Sequence, residues 1–274
     1  MNLTKEDFLN KCHITEENIE ENQIDWNVLN DIYIDFNRYK NSYESQADFI
    51  ANTLRTHKKI HSVKSRVKDS ERLIEKIIRK TASRKEKYGK DFQFSVENYK
   101  EEITDLIGVR AIHIFKEDWE DIHNFILNTW KVIEITANVR EGDDTQGFEE
   151  LGIEIYSRKS GYRSVHYLIE FFPTSQKVIA EIQVRTIFEE GYGEIDHQLR
   201  YSNSQIPEIL ASNLLLFNRI AGSSDEMASF INQLNRNLHE IEEKYEQVIN
   251  LKNKQIKELK DIIEQKTDIE EKGK

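Results

Sequence analysis

Two polar segments near the middle of the chain combine residue types that suit phosphoryl chemistry. Residues 159–166 read KSGYRSVH, and residues 181–186 read EIQVRT. Both alternate in the manner of a β-strand, with polar side chains on one face. Two adjacent strands of this kind would present an aromatic ring, an imidazole, a carboxylate and a guanidinium to one cleft. That combination suits a nucleotide with a metal ion on its phosphates. The two segments therefore predict a site for phosphoryl-type chemistry.

The elements that position these segments follow from the spacing of apolar residues. Strands are predicted at residues 62–68, 106–115, 131–140, 152–158, 162–172 and 177–185. Helices are predicted at residues 26–54, as one long or two shorter helices, and at residues 69–80, 119–130, 186–201 and 207–220. Asp69 is the predicted N-cap of the second of these helices, and residues 141–150 are a predicted exposed loop. Because strands and helices do not alternate strictly, the pattern predicts an α+β fold, a mixed sheet flanked by helices.

Length and composition restrict the class of protein. The chain has 274 residues, of which 38% are hydrophobic, enough for one ordinary domain with appendages. Its single cysteine, Cys12, excludes an internal disulfide framework and a multi-cysteine metal site. Charged residues interrupt every hydrophobic stretch, so we expect no membrane span and a cytoplasmic location.

The net charge of −11 is unevenly distributed. Residues 55–90 hold 14 Lys and Arg against 4 Asp and Glu, which makes this segment +10 and the remainder −21. A basic segment in an acidic protein places positive potential where an anion binds, although a solvated helix face is the simpler alternative.

The C-terminal segment has a heptad pattern. Its apolar positions follow spacings of four and three and are interrupted at Lys252 and Gln255: Met227, Ile231, Leu234, Leu238, Ile241, Tyr245, Val248, Leu259 and Ile262. This stripe needs a partner, either a second copy of the chain or its own N-terminal helices. Residues after 266 are predicted to fray.

Five segments in the same order make the chain resemble the synthetase domain of the RelA/SpoT family of (p)ppGpp synthetases. They are residues 65–68 with Glu71 and Lys76, residues 105–110, residues 159–166, residues 181–186, and Asp196 and His197 with Tyr201. The resemblance implies a nucleotidyltransferase-like core at residues 56–205, between N-terminal helices at residues 1–55 and C-terminal helices at residues 206–274. It also implies a compact member without the hydrolase domain of longer relatives.

The resemblance further implies transfer of pyrophosphate from ATP to the ribose 3'-hydroxyl of GDP or GTP. Asp105 and Glu181 match the family's catalytic carboxylates, which hold Mg²⁺ and face the reacting hydroxyl. The implied ATP-binding residues are Arg66, Lys68, Lys76 and Arg110. The implied acceptor-binding residues are Lys159, Tyr162, His166, Gln183 and Glu190.

Two features depart from this pattern. Asp105 and Arg110 are an odd number of residues apart, so in a regular strand they face opposite sides. Either Asp105 precedes the strand or Gly108 marks a bulge. Glu190 stands where many small synthetases have an asparagine that contacts guanine, which puts the identity of the acceptor in question.

Three hypotheses follow. The first is a synthetase acting on GDP or GTP, and the second is a toxin-like enzyme acting on the 3' end of tRNA, for which the basic segment would hold the acceptor arm. The third is a non-catalytic regulatory module that uses the C-terminal heptads.

Overall fold

The computed structural model describes residues 3–12, 14–173, 177–202 and 206–272. The backbone forms two compact units, Met1–Asp225 and Glu226–Lys274. The described helices are α1 (Lys5–Lys11), α2 (Glu16–Glu21), α3 (Trp26–Arg55), α4 (Ser70–Tyr88), α5 (Tyr99–Glu102), α6 (Asp118–Thr129), α7 (Gln146–Glu150), α8 (Ile187–Ser202) and α9 (Glu208–Lys272). The described strands are β1 (Ser62–Val67), β2 (Ile107–His113), β3 (Lys131–Val139), β4 (Glu154–Ser157), β5 (Ser164–Phe171) and β6 (Val178–Thr186).

The strands form one mixed sheet of six strands in the order β1-β2-β6-β5-β3-β4. The pairs β2–β6 and β3–β4 are parallel, and the other neighbouring pairs are antiparallel. The predicted mixed sheet flanked by helices is confirmed. This order places β6 between β2 and β5, so the segment 181–186 adjoins the strand that follows Asp105, and the segment 159–166 leads into the next strand, β5.

The core lies on the face of the sheet opposite the polar residues. On β6, Ala180, Ile182 and Val184 are at most 1% exposed, which confirms the predicted alternation. The helices cover this core with aliphatic side chains that are almost fully buried: Leu29, Ile32, Ile50, Leu73, Ile74, Ile77 and Ile78. Burial of each such side chain stabilises the fold by about 1.5–3 kcal/mol.

Helix α4 begins at the predicted cap. The Asp69 carboxylate accepts hydrogen bonds from the backbone amides of Glu71 and Arg72 at 3.0 and 3.2 Å. The helix continues two turns beyond the predicted end and stops at Gly89, whose φ of 108° suits glycine. The extra turns, residues 81–88, read TASRKEKY and are mostly polar, so the apolar pattern alone did not reveal them.

Other predicted boundaries also needed correction. Residues 26–55 form one long helix, the first of the two predicted alternatives, whereas the predicted loop at 141–150 contains the short helix α7. Helices α1 and α2 lie within the predicted N-terminal helical segment but were not located individually, and α5 was not predicted. None of the described helices has an apolar stretch long enough to span a membrane.

Helix α9 is continuous across the predicted end at residue 220 and the predicted fraying after residue 266. In the unit Glu226–Lys274 the heptad side chains are exposed: Leu234, Leu238 and Ile241 are 49%, 53% and 48% exposed. The side chains of Ile262 and Tyr201 lie outside the described residues.

Candidate active site

One row of polar residues crosses the open face of the sheet. The strand register pairs Lys64 with Arg110, Arg110 with Gln183, and Gln183 with His166. Partners in register point to the same face of a sheet, so side chains from β1, β2, β6 and β5 converge there. The adjacent row pairs Gly108 with Glu181. The Glu181 carboxylate on β6 therefore lies beside β2, the strand that carries the predicted ATP-binding residue Arg110.

Asp105 precedes β2, which begins at Ile107. The β1–β2 and β2–β6 registers run through Gly108 without a shift, so no bulge changes the phase of the strand. The first of the two alternatives for Asp105 and Arg110 is therefore correct. Because Asp105 precedes the strand, the alternation of side chains along β2 does not decide which way its side chain points.

Two lysines hold the Asp105 carboxylate. Oδ2 accepts from Lys68 Nζ and from Lys76 Nζ, each at 2.7 Å. Burial alone would raise the pKa of Asp105, but the two ammonium groups outweigh burial and lower it from 3.8 to about 2. Burial has the opposite effect on Lys68, whose pKa is lowered despite Asp105. Asp105 is therefore ionised at neutral pH.

Glu181 is fixed by its neighbours on β5 and β6. Its Oε1 lies 3.3 Å from His166 Nδ1, and its Oε2 accepts from Gln183 Nε2 at 2.5 Å. Burial raises the pKa of Glu181, while the hydrogen bonds and charge of His166 and the hydrogen bond from Gln183 lower it, and the net direction is downward. Glu181 is thus a carboxylate held in one orientation.

Glu190 is surrounded by cations. Its Oε1 lies 3.1 Å from both Lys64 Nζ and Arg110 Nη1, and its Oε2 lies 3.1 Å from Arg185 Nη1. Glu190 is only 5% exposed. Arg110 also pairs with Glu194 on the next turn of α8. Both oxygens of Glu190 are therefore occupied, and a contact with guanine would have to replace one of these ion pairs.

Tyr162 lies in the loop just before β5. The Arg185 guanidinium is 4.8 Å from the centre of the Tyr162 ring and also donates to the phenol oxygen. The same oxygen lies 3.1 Å from His166 Nε2. Arg185 in turn bonds Gln183 Oε1 at 2.6 Å. The predicted acceptor residues Tyr162, His166, Gln183 and Glu190 thus form one connected network through Arg185.

Two cavities flank the network. A cavity of about 240 Å³ is lined by Lys64, Ser65, Arg66, Gly108, Arg110, Glu194 and His197. It brings together two predicted ATP-binding residues, Arg66 and Arg110, whereas Lys68 and Lys76 meet at Asp105. A second cleft, of about 570 Å³, is lined by Arg140, Glu141, Arg158, Lys159, Gly161, Leu215, Asn218, Arg219 and Ser223. The predicted acceptor residue Lys159 lies in this basic cleft.

The carboxylates fit a metal ion that is bound together with nucleotide phosphates. Asp105 Oδ1 is buried and has no hydrogen-bond partner among the described residues, so one oxygen remains available as a ligand. Within the same residues, no group of three or more metal-binding side chains occurs. Mg²⁺ needs only one or two carboxylates when phosphates and water complete its coordination. The residues present therefore suit Mg²⁺ bound with ATP rather than a site built from protein alone.

The segment that carries the candidate site residues matches a known protein family. Residues 65–206 match the family described as "Region found in RelA / SpoT proteins". The chain belongs to the RelA/SpoT family. GTP pyrophosphokinase YwaC of Bacillus subtilis (strain 168) is 31% identical over 181 residues, which cover 64% of this chain and 75% of YwaC. The resemblance drawn from the sequence motifs is confirmed, and every predicted site residue lies inside the matched segment.

Solved structures share the RelA/SpoT fold seen here. Small alarmone synthetase 1 from Bacillus subtilis superposes with a TM-score of 0.56 at 23% identity, covering 73% of this chain and 97% of that one. The structure of the same synthetase bound to its product pppGpp gives a TM-score of 0.56 at 22% identity, covering 72% and 96%. These neighbours confirm the fold class.

Several residues of the candidate site were not predicted. Lys64 could have been predicted from the sequence, because it precedes Arg66 by two residues and therefore lies on the same face of β1. Glu194 follows Glu190 by one helical turn, which also places both near Arg110. Arg140, Asn218 and Arg219 have no such signal. Arg140 follows β3, whereas Asn218 and Arg219 come from the third turn of α9, so they meet in the second cleft from positions distant in sequence.

Proposed function

We propose that this chain is a (p)ppGpp synthetase, which transfers pyrophosphate from ATP to the ribose 3'-hydroxyl of GDP or GTP. The observation that carries the proposal is the pair of ionised carboxylates, Asp105 just before β2 and Glu181 on the neighbouring strand β6. YwaC is a GTP pyrophosphokinase, and small alarmone synthetase 1 binds pppGpp and AMPCPP. The nucleotide substrates also support the predicted cytoplasmic location.

In the proposed reaction the 3'-hydroxyl oxygen attacks the β-phosphorus of ATP. A new O–P bond forms, the bond between the β-phosphorus and the oxygen bridging to the α-phosphate breaks, and AMP leaves. Glu181, already ionised and fixed by His166 and Gln183, accepts the hydroxyl proton. Mg²⁺ held by Asp105 and Glu181 would neutralise phosphate charge. Lys68, Lys76, Arg66 and Arg110 bind the donor nucleotide.

The acceptor binds on the other side of Glu181. Tyr162 stacks on the base, with Arg185 fixed against its ring and phenol oxygen. Lys159, with Arg140, Arg158 and Arg219 around it, supplies positive charge for the acceptor's phosphates. Glu190 stays a predicted acceptor residue, and its three ion pairs support an indirect role through Arg185.

One observation weakens the tRNA alternative. Part of the basic segment at residues 55–90 is used inside the protein: Lys68 and Lys76 bind Asp105, and Arg84 binds Glu102 at 2.6 Å. Lys59 pairs with the buried Asp118 at 2.6 Å. The cations that are neutralised inside the protein are less available to an acceptor arm.

The test is incubation with ATP labelled on the β-phosphate and Mg²⁺, together with GDP, GTP or deacylated tRNA. We expect label in ppGpp or pppGpp and unlabelled tRNA. Label in tRNA alone would support the toxin-like enzyme. No labelled product with any acceptor would support the non-catalytic module.

Removal of the Tyr162 ring should weaken acceptor binding. Because base stacking contributes ~1–3 kcal/mol, we expect Tyr162→Ala to raise the KM for GTP about tenfold or more with little change for ATP. Tyr162→Phe is the matched control, since it keeps the ring and removes only the bonds to His166 and Arg185. Steady-state kinetics with each nucleotide varied in turn measure both. An equal loss for both nucleotides would assign the ring to the core instead.

We also propose that the heptad stripe of α9 binds a second copy of the chain. Its side chains are exposed along the described part of the Glu226–Lys274 unit, and a stripe with this spacing is typical of helices that pair with each other. Lys252 and Gln255 interrupt the stripe, and polar residues at such positions restrict the register of pairing.

Replacing Leu234, Leu238 and Ile241 with serine should dissociate the oligomer, since each side chain forfeits about 1.5–3 kcal/mol of burial at the interface. The matched control replaces Gln233, Glu240 and Gln247, which lie off the stripe, with serine. Light scattering after size exclusion gives the mass of each variant. An unchanged mass in the stripe variant would exclude self-association through this face.

A further inference from the structure

The loop that carries Tyr162 is fixed by the two helices that follow the sheet. We define the acceptor loop as residues 158–163. The Ser160 carbonyl accepts from the phenol of Tyr192 on α8 at 2.5 Å, and the Gly161 carbonyl accepts from Asn218 Nδ2 on α9 at 2.7 Å. Tyr192 is 2% exposed and Asn218 is 1% exposed. The two carbonyls that precede Tyr162 are therefore bonded to buried donors.

Asn218 lies directly against the loop backbone. Gly161 has a φ of 77°, and a Cβ atom there would lie only 2.6 Å from Asn218 Cγ and Oδ1. Glycine alone meets both requirements, the left-handed backbone and the close approach. The amide of Asn218 thus occupies the space that any other side chain at position 161 would fill.

The other end of the Asn218 amide faces the residue after Tyr162. Its Oδ1 accepts from Arg163 Nη1 at 3.4 Å, while Arg163 Nε and Nη2 form a two-bond pair with Asp143 at 2.6 and 3.0 Å. Gly222, one helical turn along α9, also lies against Arg163, since a Cβ there would be 2.9 Å from Nη2. Asn218 therefore contacts the residues on both sides of Tyr162.

We propose that Asn218 is a positioning residue for the acceptor nucleotide, acting through Gly161 and Arg163 to fix the orientation of Tyr162. The proposal rests on the proposed function. Asn218 lies outside the matched family segment, residues 65–206, so this role belongs to the helix that follows the family region. A loop that is already ordered loses less conformational entropy when the nucleotide binds, so the nucleotide binds more tightly.

The effect should be specific to the acceptor. The predicted ATP-binding residues Arg66, Lys68 and Lys76 are positioned by β1, α4 and Asp105 instead. A change at Asn218 should therefore move acceptor affinity and leave ATP affinity unchanged. A residue that served only stability would change both together or neither.

The test variant is Asn218→Asp. Aspartate keeps the shape of the side chain and an oxygen that can accept the hydrogen bond from Arg163. It removes the NH₂ group that donates to the Gly161 carbonyl. Loss of a buried hydrogen bond next to the ring should raise the KM for GTP about tenfold, with the KM for ATP and kcat within about twofold of wild type. Asn213→Asp is the matched control, because Asn213 is an exposed residue of the same helix that bonds only within it.

A tenfold change confined to GTP, with wild-type behaviour of the control, supports the proposal. Unchanged kinetics, a lower kcat at unchanged KM, or equal changes for ATP and GTP would overturn it. If Asn218→Asp does not fold, calorimetric titration of Asn218→Ala with GDP replaces it, with the same expected loss. Failure of both variants to fold would make Asn218 a stability residue and overturn the proposal as well.

Failure of the proposed function would look different. If the wild-type protein forms no labelled guanine nucleotide, the synthetase assignment fails before any variant is compared. Calorimetric GDP binding by wild type and Asn218→Asp then tests the positioning role without turnover. Equal affinity of the two proteins for GDP would overturn that role.

Discussion

Asp105→Asn should lower kcat at least about a hundredfold, equivalent to about 2.7 kcal/mol of transition-state stabilisation. The natural side chain offers a buried oxygen without a described partner, and its charge faces Lys68 and Lys76. A neutral amide is a weaker Mg²⁺ ligand and leaves two ammonium groups without a counter-charge. The rate of (p)ppGpp formation across a Mg²⁺ titration, at saturating ATP and GTP, measures the effect.

Asp69→Asn is the matched control for this variant. It removes the same charge at the N-cap of α4, away from the oxygen offered to the metal ion, and asparagine caps a helix as well as aspartate does. The control should keep full activity and stability. Near-normal turnover of Asp105→Asn, at any Mg²⁺ concentration, would remove Asp105 from the mechanism.

The pKa of Asp105 also predicts how stability depends on pH. Its folded-state pKa is lowered from 3.8 to about 2, so its ionised form stabilises the fold at pH values above 3.8. That contribution is lost as the pH falls from about 4 toward 2. Asp105→Asn should therefore show a shallower loss of stability over this acid range, measured by thermal unfolding at several pH values.

The fold was largely readable because the strands alternate cleanly. On β6 the polar residues Glu181, Gln183 and Arg185 alternate with Ala180, Ile182 and Val184, and the structure places the two sets on opposite faces. Period-two alternation restricts the register, since a slip of one residue would turn the charged set toward the apolar core. The sheet and one face of the site could therefore be predicted from local pattern.

The charge network around Glu190 could not be predicted in the same way. Its partners Lys64, Arg110 and Arg185 come from β1, β2 and β6, and they meet only because β2 lies between the other two in the sheet. Strand order is a tertiary property that periodicity does not encode. The contact between Asn218 and Gly161 is unreadable for the same reason, because 57 residues separate the two.

Helix ends show a further limit of sequence patterns. The apolar stripe of α4 ends near Ile78, yet the helix continues to Tyr88 with basic residues. Lysine and arginine favour helix without marking a buried face, so they extend a helix without any periodic signal. Helix α9 also continues past the predicted end at residue 220, through residues 221–226, AGSSDE, which are small or polar and carry no apolar period.

Glu181→Gln should also reduce kcat by about a hundredfold or more, but with little change in the KM for either nucleotide. Glutamine keeps the shape of the side chain and can still accept the hydrogen bond from Gln183, so nucleotide binding should persist. It cannot take the hydroxyl proton, and it lacks the charge that favours a metal ion. The expected loss therefore appears in the chemical step, and single-turnover kinetics with both nucleotides bound measure it.

Glu170→Gln is the matched control for this last variant. Glu170 lies on the neighbouring strand β5, in register with Lys131 and ion-paired to it at 2.8 Å, away from the carboxylate pair. The pKa of Glu181 is lowered below its usual value of 4.5. Wild-type activity should therefore fall only at pH values below 4.5, where the carboxylate becomes protonated. Glu181→Gln should lack this acid limb, whereas Glu170→Gln should keep it. A Glu181→Gln enzyme that retains both the wild-type rate and the acid limb would show that another group accepts the proton, and His166, 3.3 Å away, would be the first candidate to replace.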